Sequence, residues 1–204
     1  MFKSTFITMS GEVTKKGYRA LGAIGALYLV VVILFLSMGW GDIYDFTIRF
    51  FALTGFYMMS IAVLLTPFMS RIYKEWGKSF MKVHHLFAAI GIAAATLHPV
   101  IFAIEVSSLA VFIPDVSSLY AFMLLGGRQA LILIYIATLA AFVRSKIPKY
   151  WKPIHALMYI MLFFVLVHGF LIGTDFTSIG IQIIFTALFI GALGAMIYKR
   201  MENR

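Results

Sequence analysis

Long apolar runs separated by short polar segments dominate the pattern of this chain. Six stretches are candidates for membrane-spanning helices, since a helix needs about 20 apolar residues to cross the hydrocarbon core. They cover residues 20–40, 50–70, 83–104, 129–143, 153–174 and 176–198. The fourth is the shortest, although the chain is apolar from 116 to 143 apart from Arg128 and Gln129. The pattern therefore predicts an all-α integral membrane bundle of six transmembrane helices, forming one domain over residues 1–204.

Composition favours a lipid environment over an aqueous core. The chain has no cysteine, which excludes disulfides, zinc–thiolate sites, iron–sulfur clusters and covalently attached haem. Apolar residues make up 62% of the 204 residues and charged residues only 12%, about half the charged share of a soluble domain. A chain this short cannot bury so much apolar surface in a core of its own. We therefore expect the lipid bilayer to be its solvent.

The basic residues fall almost entirely on one side of the predicted bundle. Of 17 Lys and Arg residues, 15 lie in the N-terminal tail, in the loops after the second and fourth segments, or at the C-terminus. Because positive residues accumulate in cytoplasmic loops, both termini are predicted to be cytoplasmic. The net charge of +9 is thus explained by orientation in the cytoplasmic (inner) membrane as a multi-pass protein, and no nucleic-acid partner is predicted.

Histidines are confined to the third and fifth apolar segments and their ends. They are His84, His85, His98, His155 and His168. Ionisable side chains inside a membrane are costly, so each is a candidate functional residue. Three of them follow basic cytoplasmic residues, whereas His98 and His168 each precede an acidic outer residue by seven positions. Separations of 13 or 14 residues put the two levels about 20 Å apart along a helix.

Two histidine pairs at matching depths predict two b-type haems stacked across the bilayer, each iron held by one histidine from each segment. Neutral imidazole is a good iron ligand, and two axial ligands leave no open position, so such a site transfers electrons rather than binding oxygen. A metal or proton pathway and simple hydrogen-bonded packing are the alternatives. A proton relay would use buried Asp or Glu, which the interiors of the segments lack.

The inner ligand on the third segment is either His84 or His85. An ideal helix turns about 100° per residue, so His84, which lies 14 residues before His98, returns to within about 40° of the same face. His85 misses that face by about 140°. Face geometry therefore favours His84. The fifth segment, whose histidines are 13 residues apart, is expected to twist, kink or present its histidines at different angles.

This histidine pattern resembles the ferric-reductase-like transmembrane domain. That superfamily includes NADPH oxidases, ferric reductases and the haem-binding membrane subunit of the bacterial methionine sulfoxide reductase system. The matching segments are His84-His85-Leu86-Phe87-Ala88 with Leu97-His98-Pro99, and Trp151-Lys152-Pro153-Ile154-His155 with Val167-His168. The family's third helix typically has histidines 14 apart and its fifth has them 13 apart. The resemblance covers nearly the whole chain. It implies that His84 and His155 ligate an inner haem, and His98 and His168 an outer one.

The resemblance implies a transmembrane di-haem cytochrome b that passes electrons from a cytoplasmic donor to an outer-side acceptor or partner enzyme. Many members continue into a flavin and nicotinamide domain. This chain ends at Arg204, so no fused dehydrogenase is expected, and the donor would be a separate flavoprotein reductase, a flavin at the cytoplasmic side, or a quinone. No catalytic residue is predicted in the chain itself.

Three other functions remain open from the sequence. The chain is similar in size to the stand-alone haem-binding subunit of a periplasmic methionine sulfoxide reductase. That subunit usually has a basic residue where this chain has His84, which favours the full four-histidine, two-haem site. A quinone-linked cytochrome b subunit of a larger dehydrogenase is the second alternative. A metal transporter or channel that uses the histidines as ligands is a non-redox alternative.

Arg128 is the most unusual charge, because it follows Gly126 and Gly127 near the outer end of the fourth segment. One interpretation is that it pairs with the propionates of the outer haem, which suits the bidentate geometry of arginine. The other is that it extends to the outer membrane interface. Arg49 has the same two interpretations, with a weaker case for the first.

Overall fold

A computed structural model of the protein describes residues 11–202. Residues 1–10 and 203–204, which include Lys3 and Arg204 of the predicted basic termini, lie outside that range. The described chain is helical and contains no strand. Its α-helices are α1 (Lys15–Ser37), α2 (Ile43–Leu64), α3 (Met69–Trp76), α4 (Phe80–Glu105), α5 (Leu119–Leu124), α6 (Gly126–Phe142), α7 (Trp151–His155), α8 (Leu157–Ile172) and α9 (Ile179–Glu202). Short 3-10 turns lie at Thr66–Phe68, Leu109–Phe112 and Thr174–Thr177.

Five helical stretches of the described chain are long and apolar enough to cross a membrane. They are Lys15–Ser37, Ile43–Trp76, Phe80–Glu105, Trp151–Ile172 and Ile179–Met201. The predicted fourth segment corresponds to α6, which is apolar but has only 17 residues. The prediction of an all-α protein with membrane-type helices is therefore confirmed for the described residues, and the sixth span stays a prediction.

The fifth predicted segment is interrupted, since α7 ends at His155 and α8 begins at Leu157. The break at Ala156 lies between the two histidines of this segment. Because the helix is interrupted there, a 13-residue spacing does not have to follow one ideal helical face. The expectation that this segment departs from a regular helix is therefore met by a local interruption.

Two antiparallel helix pairs form the centre of the bundle: α2 packs along α4, and α6 packs along α8. Glycines allow the close approach. A Cβ on Gly55 would lie 3.0 Å from the backbone nitrogen of Ala95, and one on Gly126 would lie 3.0 Å from the carbonyl oxygen of Phe164. Small residues at such contacts are typical of membrane helix packing. The two helix pairs have few contacts with each other, and these contacts join α4 to α6 and α2 to α8. A space therefore remains between the two helix pairs.

The main core surrounds α2, the most buried of the five long helical stretches. Among its fully buried side chains are Tyr57, Ile134, Leu162 and Phe185, from four different helices. The Tyr57 hydroxyl donates to the carbonyl of Ile24 on α1 at 2.6 Å. Because a buried hydroxyl without a partner is costly, this bond also fixes how α1 packs against α2.

Candidate functional site

His84 of α4 and His155 of α7 meet at one end of the space between the two helix pairs. Their ring centroids are 6.3 Å apart, and their ring planes make an angle of 68°. Two imidazoles bound to opposite sides of one metal ion have centroids about 6 Å apart, because each metal–nitrogen bond is about 2 Å. The separation therefore fits two axial ligands of one iron.

His98 of α4 and His168 of α8 line a cavity of about 410 Å³ at the other end of this space. The walls come from α2, α4, α6, α8 and α9, and much of the lining is apolar, including Ala52, Leu131 and Phe185. Cofactor cavities in proteins have volumes of about 300–1,000 Å³ and combine apolar walls with a few oriented polar groups. The structure thus brings together the two histidines predicted as the outer pair in a cavity of suitable size.

Four of the five histidines are oriented in the same way, by a hydrogen bond from ring Nδ1 to a backbone carbonyl. The pairs are His84–Ala62 (3.0 Å), His98–Ile48 (3.0 Å), His155–Ala137 (3.0 Å) and His168–Leu124 (2.8 Å). Because a carbonyl oxygen can only accept, Nδ1 carries the proton and the lone pair of the neutral ring is on Nε2. This arrangement is typical of histidines that bind a metal through Nε2.

The carbonyl acceptors repeat the spacing of the histidines. On α2, Ala62 and Ile48 are 14 residues apart, which equals the separation of His84 and His98 on α4. The other two acceptors are 13 residues apart, which equals the separation of the second histidine pair. Since α2 and α4 run antiparallel, a single register between these two helices orients one histidine at each level, whereas the second set of bonds joins α7 to α6 and α8 to α5. No pattern in the sequence predicts these acceptors.

His85 differs from the other four histidines. Its side chain is exposed, and its ring lies 6.0 Å from that of His84. Within residues 11–202 it makes no Nδ1 hydrogen bond to a carbonyl of the kind that orients the others. These differences favour His84 over His85 as a ligand, as the helix-face argument does.

Gly127 leaves the Nε2 side of the His168 ring open. A Cβ on Gly127 would lie 3.2 Å from Nε2 of His168, which is closer than ordinary van der Waals contact. A side chain at this position would therefore crowd the nitrogen that carries the lone pair. The missing side chain and the oriented imidazoles together fit a haem bound through His168.

Arg128 lines the same cavity as His98 and His168 and is half-buried. Its Nη1 donates to the carbonyl of Ile113 at 2.6 Å, which holds the guanidinium at the cavity wall. No salt bridge involves Arg128 in the part of the chain that the structure describes. Its remaining donors suit an anionic group such as a carboxylate.

Arg49 is buried, and all three nitrogens of its guanidinium donate hydrogen bonds to protein oxygens, so it differs from Arg128. Its Nε and Nη2 donate to the two carboxylate oxygens of Asp175 at 3.1 and 2.7 Å. Its Nη1 donates to Asp45 and to the carbonyl of Gly39, both at 2.9 Å. Arg49 also lines the cavity of His98 and His168, so this ion pair does not decide between the two sequence-based interpretations of Arg49, which stay predictions. The signal that was missed is Asp45, four residues before Arg49, where it can pair along one helix face.

Clusters of the kind that bind metal ions directly are not found in residues 11–202: no group of three or more His, Asp or Glu side chains could hold a metal ion. The metal-transporter alternative therefore gains no support from the described residues. A haem iron needs only two ligands from the protein, because the macrocycle supplies the others, so this finding does not bear on the two histidine pairs.

Comparison of the chain with protein-family models, with curated proteins and with solved structures gave no match. The resemblance to the ferric-reductase-like transmembrane domain therefore stays an expectation drawn from the histidine pattern.

Proposed function

We propose that this protein is a membrane-embedded cytochrome b that holds two b-type haems and carries electrons between the two faces of the membrane. One observation carries the proposal. Four histidines form two pairs at different depths, and each donates Nδ1 to a backbone carbonyl so that Nε2 is free to bind iron. His84 and His155 would hold the inner haem, and His98 and His168 the outer one.

The chain's own residues orient the ligands and keep water out. Bound haem supplies reversible one-electron chemistry at iron. The carbonyl hydrogen bonds fix the tautomer and ring orientation of each histidine and increase its basicity towards a metal. The apolar walls around His98 and His168 lower the local polarity, which tunes a haem's reduction potential. Arg128 would pair with a propionate of the outer haem through a charge-assisted hydrogen bond.

A six-span topology accounts for the charge distribution. Counting α6 as a span would put 13 of the 15 basic residues in 11–202 at the end that carries His84 and His155, and this end would face the cytoplasm with both termini. The 17 residues of α6 are at the lower limit of about 17–25 residues for a spanning helix. The membrane would be the cytoplasmic membrane.

Electron entry and exit follow from this orientation. Electrons would enter at the basic end from a separate flavoprotein reductase or another flavin, or from a quinone in the membrane. They would leave at the His98–His168 end to a soluble acceptor or a partner enzyme. Basic residues of the loops, such as Lys78 and Lys146, would favour an acidic donor protein through complementary charge.

The test is a reduced-minus-oxidised visible spectrum of the detergent-purified protein, with haem counted per chain. We expect two low-spin b-type haems per chain. One haem would favour the methionine-sulfoxide-reductase-like alternative and contradict the two-haem proposal. Colourless protein from haem-replete cells would overturn electron transfer altogether and favour the transporter or channel.

A further inference from the structure

The loop between α4 and α5 displays apolar side chains although it connects two helices at the outer end of the bundle. Val116 is 80% exposed, Leu109 is 78% exposed, and Leu119, the first residue of α5, is 75% exposed. Asp115 is the one charged residue in the stretch 106–120. Loops that face water normally carry polar residues, so this surface needs an apolar partner.

The first half of this loop folds back along α4. The helix ends in a Schellman-type cap, in which Ser108 N–H donates to the Ala103 carbonyl at 3.0 Å and Ser107 N–H donates to the Ile104 carbonyl at 3.2 Å. Ser107 has a left-handed φ of 50°. The reversal carries the 3-10 turn Leu109–Phe112 back beside the last turns of α4.

An apolar groove separates this turn from α4. It is lined by Val100, Ala103, Ile104, Leu109 and Phe112. Because α4 is one of the membrane-type helices and Ile104 is exposed on it, the surface of the loop continues the lipid-facing surface of the helix. Continuity with that surface identifies lipid as the partner of the loop.

The opposite side of the loop contributes one residue, Val111, to the wall of the cavity of His98 and His168. Val111 is buried and lines that cavity, and Arg128 holds the loop through the Ile113 carbonyl. Asp115 accepts a hydrogen bond from the Ser117 N–H at 2.9 Å. Hydrogen bonds from the Ser117 hydroxyl and N–H lower the pKa of Asp115, so this carboxylate is charged at neutral pH and belongs at the headgroup level.

We propose that residues 106–120 lie in the interfacial region of the bilayer leaflet at the His98–His168 end, with lipid acyl chains covering Leu109 and Val116 and filling the groove beside α4. The interfacial depth suits an irregular backbone, since lipid-exposed irregular segments do not occur in the hydrocarbon centre. The loop then seals the cavity from lipid on one side while its apolar side chains anchor it on the other.

Single cysteines test this proposal cleanly because the chain has none of its own. Leu109→Cys and Val116→Cys would be compared with two controls in the full-length protein in lipid nanodiscs. Ile183→Cys on α9 is the lipid-facing control, since Ile183 is an exposed side chain of a membrane-type helix. Lys146→Cys, exposed in the loop after α6, is the water-facing control.

Two readouts are needed: labelling by a membrane-impermeant maleimide, and quenching of an attached environment-sensitive fluorophore by lipids with a nitroxide near the headgroup. Both loop variants should lose maleimide labelling relative to Lys146→Cys and show blue-shifted emission that these lipids quench. Labelling as fast as Lys146→Cys would overturn the proposal. Protection from both the maleimide and the quencher would also overturn it, because a protein would then cover the loop. If Leu109→Cys does not fold, Val116→Cys decides the test.

Discussion

The imidazole of His84 lies edge-on to that of His155, with ring centroids 6.3 Å apart, although the two residues belong to different helix pairs. Each ring donates a hydrogen bond from Nδ1 to a backbone carbonyl of a neighbouring helix, His84 to one on α2 and His155 to one on α6. Each side of the space between the helix pairs therefore contributes one imidazole that is already oriented by a neighbouring helix. A group bound between the two rings would connect the two helix pairs, which otherwise have few contacts with each other.

Removal of single histidines should separate the two sites. His98→Ala or His168→Ala should remove the outer haem and leave the inner one, because each iron loses one of its two protein ligands. His84→Ala or His155→Ala should do the converse. Haem per chain and the reduced-minus-oxidised spectrum measure the outcome. His85→Ala is the matched control and should retain both haems, whereas two haems in all four ligand variants would contradict the assignment.

A methyl group at position 127 should disturb the outer site alone. The Cβ of Gly127→Ala would lie 3.2 Å from Nε2 of His168, and overpacking of this kind costs about 1–3 kcal/mol. We expect lower occupancy or an altered spectrum of the outer haem, with the inner haem unchanged. Gly194→Ala is the control, since nothing lies within 4 Å of its added Cβ. Identical spectra for the two variants would contradict the close contact.

Loss of the Arg49 side chain should destabilise the fold strongly. Arg49→Met leaves the carboxylate of Asp175 buried without its partner, and breaking one side of a buried ion pair costs about 3–5 kcal/mol. Unfolding in detergent by heat or denaturant measures this loss. Arg71→Gln removes an exposed arginine and should change stability by less than about 0.5 kcal/mol.

The double variant Arg49→Met, Asp175→Leu distinguishes an ion pair from simple packing. It should recover most of the loss, because no unpaired charge remains buried. A double variant that is as unstable as Arg49→Met alone would show that the contribution of Arg49 does not depend on Asp175.

Glycine at position 107 should stabilise the protein. Ser107 adopts φ 50°, and a left-handed conformation costs a residue with a Cβ about 1–2 kcal/mol. Ser107→Gly removes that strain but adds unfolded-state entropy, so we expect a net gain of about 0.5–1 kcal/mol in unfolding free energy. Ser108→Gly should give no gain, because Ser108 has an ordinary φ and its hydroxyl accepts from the Ala110 N–H at 3.2 Å. Equal effects of the two substitutions would argue against strain at Ser107.

The apolar pattern predicted the long helices because a membrane-spanning helix leaves an unbroken apolar run in the sequence. It did not predict α3 or α5 as separate helices, since helices of six to eight residues leave no run of that length, and it did not predict the break between α7 and α8. It also gave α6 a start at residue 129, whereas the helix begins at Gly126. Glycines are poor helix formers, so local propensity gave no sign that the helix extends through them.

The histidines of the candidate site could be predicted from the sequence, but the groups that orient and surround them could not. Matching depth was enough to pair the histidines as candidates, because depth can be counted from charged helix ends. The acceptors of their Nδ1 hydrogen bonds are backbone carbonyls, and every residue type has one, so no sequence signal marks them. The ion pair of Arg49 with Asp175 spans 126 residues, and such a pairing becomes apparent only when the loop before α9 is placed beside α2.

The equal intervals of histidines and carbonyl acceptors restrict how α2 and α4 can change in length. An insertion of one residue in α4 between His84 and His98 would rotate one histidine by about 100° and shift it by about 1.5 Å, while the other kept its acceptor. An equal insertion in α2 between Ile48 and Ala62 would restore the axial match but would also turn the acceptor carbonyl by about 100° around α2, so the hydrogen bond would stay broken. Single-residue insertions or deletions between these positions should therefore not be tolerated in either helix, because both histidines keep their acceptors only at the present spacing.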